Sequence, residues 1–162
     1  MRQCKRRIMM KKDRFNGNII NKMQLKLPAL SANEGMARAA VSAFCAQLDP
    51  TAVELADIKC AVSEAVTNCI VHAYRHRDGI IYINVSLLEG RVAKIEIKDK
   101  GCGIEDVKEA RQPLFTTDAA SERSGMGFTV MESFTDKIRV TSRVGRGTSV
   151  VMYKAFGDRE DI

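Results

Sequence analysis

Two stretches of the chain alternate apolar and polar side chains with almost nothing between them. IIYINVSLL (80–88) and RVAKIEIKD (91–99) are separated by Glu89-Gly90 alone. Period-two alternation marks strands that turn one face to a core, and so short a join implies a hairpin, so the chain is committed to antiparallel pairing. KIRVTSRVGRGTSVVMYK (137–154) reads the same way, as strand, turn and strand, and MQLKLPAL (23–30) as a further strand ending at Pro28. The segments between follow a helical period. Ser31 or Asn33 can cap a helix reaching about Gln47, with Met36, Ala40, Val41 and Phe44 as its apolar side. Asp49-Pro50-Thr51 ends it and caps a long helix from Val53 to about Tyr74, after which RHRDG (75–79) turns the chain. A short helix is expected near 105–110, a loop without period at 111–124, and another helix at 125–134. Strands arrive in hairpins with helices between the groups. That order predicts an α+β fold, a mostly antiparallel sheet with helices on one face, and not the βαβ alternation of a Rossmann domain.

A chain of 162 residues, 45% of them hydrophobic, is long enough for one domain with its own core. It has no run approaching the roughly 18 apolar residues of a membrane span, and its basic N-terminus lacks the apolar stretch of a secretory signal. The expectation is a cytoplasmic protein with no membrane partner. Five cysteines form no CxxC pair and several sit in apolar periodic segments, so they read as reduced, buried thiols. The net charge of +6 is unevenly placed. Residues 1–22 hold eight basic residues against Asp13, whereas the other 140 carry 18 basic and 19 acidic groups. The basic excess therefore belongs to a leader, read as a disordered extension or a start codon assigned too early, since Met23 opens the first strand-like segment. Residues 23–157 are expected to form the domain and 158–162 a tail. A body so close to neutral predicts no direct nucleic-acid partner.

The long helix contains SEAVTNCIVHAY (63–74). Leu55, Ile58, Val62, Ala65, Val66, Cys69 and Ala73 share one apolar face at about 100° per residue. Glu64, Asn68 and His72 form a separate stripe, each about 40° round from the last and one turn up. Glu64 has no Lys or Arg three or four residues away, and Asn is a poor mid-helix residue, costing up to about 0.7 kcal/mol against Ala. Both oddities point to a site rather than a solvated face. An amide oxygen is a hard ligand that can join a Mg²⁺ shell, and a carboxylate beside it can take a proton. His72 suits packing as well as a site, and a zinc site from Cys69, His72 and His76 lacks a fourth ligand.

Two glycine turns could supply a phosphate site. DKGCG (99–103) follows a strand and places Asp99 at its C-terminal end, but lacks the sixth-position glycine of a dinucleotide fingerprint, and no GxxxxGK[ST] occurs. SGMGF (124–128) puts two glycines where a helix begins, just after Arg123; free amides and the positive helix end suit an anion there.

In order, ExxxN, DxGxG, GxG and a GT before the last strand resemble the GHKL ATPase superfamily, from Gln24 to about Lys154. SEAVTNCIVHAY, DKGCGI, EARQPLFTT, ERSGMGFTVMESF and GRGTSV are more closely similar to its serine-kinase anti-sigma branch, and within it to the anti-sigma-F factors of spore-forming bacteria rather than the stress-response members. The resemblance implies the GHKL (Bergerat) two-layer α/β sandwich, with ATP and Mg²⁺ as cofactors. It implies Asp99 at the adenine amino group, Gly101, Gly103 and Thr148 around the base, Asn68 on Mg²⁺ and Glu64 as general base. It places Thr116 and Thr117 in a lid, with Arg123, Ser124, Gly125 and Gly127 at the phosphates. It further implies a homodimer that silences a sporulation sigma factor through a helix carrying Glu34 and Arg38. The same protein would phosphorylate a serine on an anti-sigma factor antagonist. Alternatives are an ATP-gated sigma-binding module with little kinase activity, a stress-response anti-sigma kinase, or a detached histidine-kinase domain; the last would need an upstream helix with a phosphoacceptor His, which is absent. Cys69 and Ala73 depart from the smaller or glycine residues frequent at those positions, and the leader has no counterpart.

Overall fold

The computed structural model describes residues 14–113 and 126–157. Five strands form one sheet: β1 (Ile19–Pro28), β2 (Ile80–Leu88), β3 (Val92–Lys98), β4 (Lys137–Arg143) and β5 (Gly147–Ala155). Their spatial order is β1-β2-β3-β5-β4, and every neighbouring pair is antiparallel. The helices are α1 (Ala32–Cys45), α2 (Ala52–Asn68), the single turn α3 (Val107–Ala110) and α4 (Gly127–Phe134). The expected element order and α+β class are therefore observed.

The alternation that predicts strands also decides which face is covered. Ile81, Ile83, Val85 and Leu87 of β2 and Ile95 and Ile97 of β3 are buried, together with Val150 and Met152 of β5. Against them pack Ile58, Val62 and Val66 of α2 and Met131 of α4. Burial of such side chains is worth roughly 1.5–3 kcal/mol each, and it fixes register, since a slip of one residue would turn each of these groups outward. Helix α2 starts where Thr51 predicts: its hydroxyl accepts from Glu54 N at 3.2 Å while Thr51 N donates to Glu54 Oε2 at 2.8 Å, a complete capping box.

Four expectations need correction. Helix α1 begins after Ser31, but the hydroxyl makes no capping bond, and Asn33 Nδ2 donates to Pro28 O at 2.9 Å instead. Its buried side is Ala37, Val41, Ser42 and Cys45, whereas Met36 is 57% exposed; α1 packs against α2 as well as the sheet, which turns its face by about one residue. The β2–β3 join is three residues, not two, because Arg91 also takes a left-handed conformation (φ 58°). From there its guanidinium donates to the carbonyls of Leu48, Asp49 and Gly157, clamping the α1–α2 connection to the end of β5.

The leader boundary also moves. Strand β1 begins at Ile19, with Ile19, Asn21 and Lys22 paired to Leu88, Leu87 and Ser86. Before it, Arg14 donates to Gly90 O at 2.8 Å and Phe156 O at 2.7 Å, and Phe15 meets Tyr153 edge-on at 5.5 Å. Residues 1–13 and 158–162 lie outside the described residues. A chain started at Met23 would lose those bonds and half the edge strand, at a cost of about 2 kcal/mol or more. We expect its melting temperature to fall by roughly 4–8 °C relative to a chain started at Arg14, as read by circular dichroism.

Candidate functional site

The α-helical hydrogen-bonding of α2 stops at Asn68. Cys69–Ala73 continues as a π-helical turn in which Tyr74 N donates to Cys69 O at 3.0 Å. The wider turn leaves Ala73 O to accept from Cys102 N at 3.0 Å, an off-helix donor. The 99–103 turn is thereby docked on the end of the helix. Gly101 permits this approach, since a Cβ there would lie 2.3 Å from Ala73 O. Two more glycines complete the weld. Gly103 (φ 74°) has Arg143 O at 2.2 Å from its would-be Cβ, and Gly147 (φ 97°) has Asp99 O at 2.3 Å. The helix end, the β3 exit and the β4–β5 turn therefore meet backbone to backbone.

Asp99 sits at this junction, 3% exposed. Its Oδ1 accepts from Gly101 N at 2.8 Å and Thr148 N at 3.2 Å. Its Oδ2 faces only the Cys69 thiol, 3.7 Å away, among the described residues. Burial pushes the carboxyl upward, partly opposed by the two backbone donors. Burial first, and the neighbouring Asp99 charge second, push the Cys69 thiol up, so it stays protonated and can donate. Thr148 is buried and shares a 2.8 Å hydrogen bond with the Ser142 hydroxyl, which also accepts from Ile104 N at 2.8 Å. Tyr74 braces the other side: its hydroxyl donates to Ile80 O at 2.7 Å and accepts from Lys100 N at 2.8 Å.

Glu64 and Asn68 face the start of α4. A Cβ on Gly127 would lie 3.2 Å from Glu64 Oε2 and 3.3 Å from Asn68 Oδ1. Both side chains are half-buried and neither has a hydrogen-bond partner among the described residues. The first intrahelical bond of α4 is Val130 N to Met126 O, 2.8 Å, so among the described residues the amides before it have no partner at the helix's positive end. The structure thus gathers Glu64, Asn68 and Gly127 at the start of α4, and Asp99, Gly101, Gly103 and Thr148 at the exit of β3. Thr116, Thr117, Arg123, Ser124 and Gly125 lie outside the described residues. Glu34 and Arg38 lie apart on α1, 3.7 Å from each other, and Glu34 also accepts from the Ser63 hydroxyl of α2. His72 is half-buried in the π-helical turn, and among the described residues no metal-binding cluster of His, Cys, Asp and Glu occurs.

Sequence reasoning missed Tyr74, Ser142 and Gly147 as builders of this site. Gly147 acts through its close approach to the Asp99 backbone and Ser142 through a hydroxyl that accepts from Ile104 N, 38 residues away, contacts for which no periodicity exists. Tyr74 had a local signal in Gly79, whose would-be Cβ lies 2.4 Å from the Tyr74 ring.

Comparison with known proteins bears on the family and the fold. Residues 27–154 match the family model described as the histidine kinase-like ATPase domain. The chain is 56% identical over 137 residues to the anti-sigma F factor of Caldanaerobacter subterraneus subsp. tengcongensis, spanning 85% of this chain and 95% of that one. It is 50% identical over 141 residues to that of Clostridium acetobutylicum, spanning 87% and 98%. Among solved structures, the RsbU and RsbW domains of a Mycobacterium tuberculosis protein superpose with a TM-score of 0.63 at 18% identity, over 86% of this chain but 33% of that one, a likeness of fold alone. No helix among the described residues is long and apolar enough to cross a membrane. Matched at this identity over nearly its relatives' full length, and by the domain model over residues 27–154, the chain belongs to the anti-sigma F factor family of histidine kinase-like ATPase domains.

Proposed function

We propose that the chain binds ATP with Mg²⁺ at these two groups of residues, transfers its terminal phosphoryl group to a serine of an anti-sigma factor antagonist, and as a homodimer holds a sporulation sigma factor through the α1 surface bearing Glu34 and Arg38. One observation carries the reading: the half-buried Glu64 and Asn68, without partners among the described residues, lie against Gly127 at the amide end of α4. A carboxylate, an amide oxygen and free N–H groups at one point are the donor set for a metal-bound polyphosphate and an incoming hydroxyl.

The residues fit the nucleotide. Asp99 Oδ2 is an acceptor left free by the backbone, suited to an exocyclic amino group, and the glycine weld keeps the base pocket's floor thin. When bound, ATP would supply the phosphoryl group and Mg²⁺ would neutralise its charge. Asn68 would offer its side-chain oxygen to the metal, the α4 amides would orient the phosphates, and Glu64 would take the proton of the serine hydroxyl as ADP leaves. Asp99→Asn keeps an oxygen for Gly101 N and Thr148 N but turns the free acceptor into a donor. We expect at least a tenfold loss of ATP affinity by calorimetry with an unchanged melting temperature. Asn68→Ala is expected to flatten the Mg²⁺ dependence of ATP binding, and full Mg²⁺ dependence in that variant would remove its ligand role.

The deciding experiment incubates the full chain with Mg²⁺, γ-labelled ATP and the antagonist. Labelled serine supports the kinase. Tight ATP binding without label, with the antagonist folded, leaves an ATP-gated sigma-binding module.

A further inference from the structure

Helices α1, α2 and α4 cover one face of the sheet; among the described residues the other face carries only the Arg14–Asn16 turn, at its Tyr153 end, where Phe15 meets Tyr153 edge-on. Its side chains fall in register across all five strands. One row reads Lys26, Tyr82, Lys98, Ser149, Thr141; the next Gln24, Asn84, Glu96, Val151, Arg139; the third Lys22, Ser86, Lys94, Tyr153, Lys137. Six cations thus share a surface with a single acid. That acid is occupied by neutral groups, since Glu96 accepts from Asn84 Nδ2 at 2.9 Å and from Ser149 Oγ at 3.0 Å. None of the six cations makes an ion pair among the described residues. Averaging along the body gave near neutrality and the expectation of no nucleic-acid partner; the fold sorts those charges by face, and the average hides the sorting.

We propose that this open face binds the phosphate backbone of duplex nucleic acid, without reading its sequence. The surface chemistry separates this occupant from others. Protein interfaces are depleted in lysine at their centres and built around apolar anchors, whereas this face is lysine-dominated and Val151 is its one aliphatic group in the three rows. Single strands need bare aromatic platforms. Here all three rings are taken: Lys26 and Lys100 lie 5.8 and 5.1 Å from the centroid of Tyr82, Lys94 and Lys137 lie 5.9 and 5.6 Å from that of Tyr153, and Phe15 lies edge-on to Tyr153 with Lys137 5.9 Å from its centroid. These contacts hold the ammonium groups up from the sheet as point charges. The two lysine-bearing outer rows are four residues apart along the strands, about 13 Å, and cations on alternate strands are about 10 Å apart. That is a grid on the scale of the phosphates flanking a duplex groove. Nothing in this inference depends on the proposed nucleotide site, which lies on the helical side.

The test measures fluorescence anisotropy of a labelled 24-base-pair duplex of arbitrary sequence with the full chain, from 50 to 200 mM salt. We expect binding that weakens steeply with salt. The variant Lys22→Gln/Lys94→Gln/Lys98→Gln/Lys137→Gln should lower the log–log salt slope by roughly 0.9 per lysine and the 50 mM affinity by at least tenfold. The same number of changes on other exposed cations (Lys59, Arg75, Arg77 and Lys108 to Gln) should change it less than threefold. Melting temperatures check folding, and the double variant Lys26→Gln/Lys98→Gln should show about half the slope change if the fourfold variant is unstable. Duplex binding that survives the face variants overturns the proposal. So does preference for poly-glutamate, which would make the occupant an acidic protein, or for vesicles containing phosphatidylserine, which would make it a membrane.

Discussion

Glu64→Gln should abolish transfer of label from ATP to the antagonist's serine while leaving ATP affinity within a few-fold. The substitution keeps the side chain's length and its packing against Gly127, 3.2 Å from Oε2 to the would-be Cβ, and removes only the basic oxygen. A positioned general base contributes about 10²–10⁴-fold to such a step, so single-turnover label should drop by at least a hundredfold. Loss of ATP binding together with label would instead make Glu64 a residue of the fold. Retained transfer would move the proton to another acceptor and leave the Glu64–Asn68 stripe without its proposed division of labour.

Gly147→Ala should be among the most damaging methyl additions at the described glycines, beside Gly101 and Gly103. Its backbone is left-handed (φ 97°), and the new Cβ would lie 2.3 Å from Asp99 O and 2.7 Å from Lys100 Cα. Backbone, unlike a flexible side chain, cannot swing aside. A cost of about 3 kcal/mol or more is expected, lowering the melting temperature by roughly 6–12 °C. Gly145→Ala is the control. Gly145 is also left-handed (φ 73°), yet nothing stands within 4 Å of its would-be Cβ. Its cost should be the conformational strain alone, about 1–2 kcal/mol. Equal losses in the two variants would show that strain, and not collision, governs the β4–β5 turn.

The parts of this molecule legible in the sequence are those written in a local period. Alternation located β2, β3, β4 and β5, and Thr51 with Glu54 located the start of α2. The Glu64–Asn68 stripe was legible because helical spacing places residues four apart on one side, and polar residues in an apolar helix are conspicuous. What stayed hidden was written across the chain. The left-handed Arg91 clamps three distant carbonyls, but its own neighbours show only an arginine opening a strand. Ile19–Lys22 belong to β1 because β2 is long enough to pair with them, which composition alone assigned to a leader. The charge of the open sheet face vanished into an average taken along the sequence rather than across strands.

The backbone weld at Gly101, Gly103 and Gly147 also bears on the order of events in folding. It joins a helix end at Ala73 to a turn near residue 101 and to another near 145, and the last of these arrives only after β5 has paired with β3. Hairpins and helices form from neighbours in sequence, whereas this corner closes loops of 30 residues between His72 and Cys102 and 49 between Asp99 and Thr148. The corner around Asp99 should therefore assemble after the local hairpins and open before the buried strands. Amide exchange at Gly101–Gly103 would then report partial opening long before the buried strands exchange. A nucleotide that holds this corner shut would stabilise the finished chain alone, with no hold on any partly folded form.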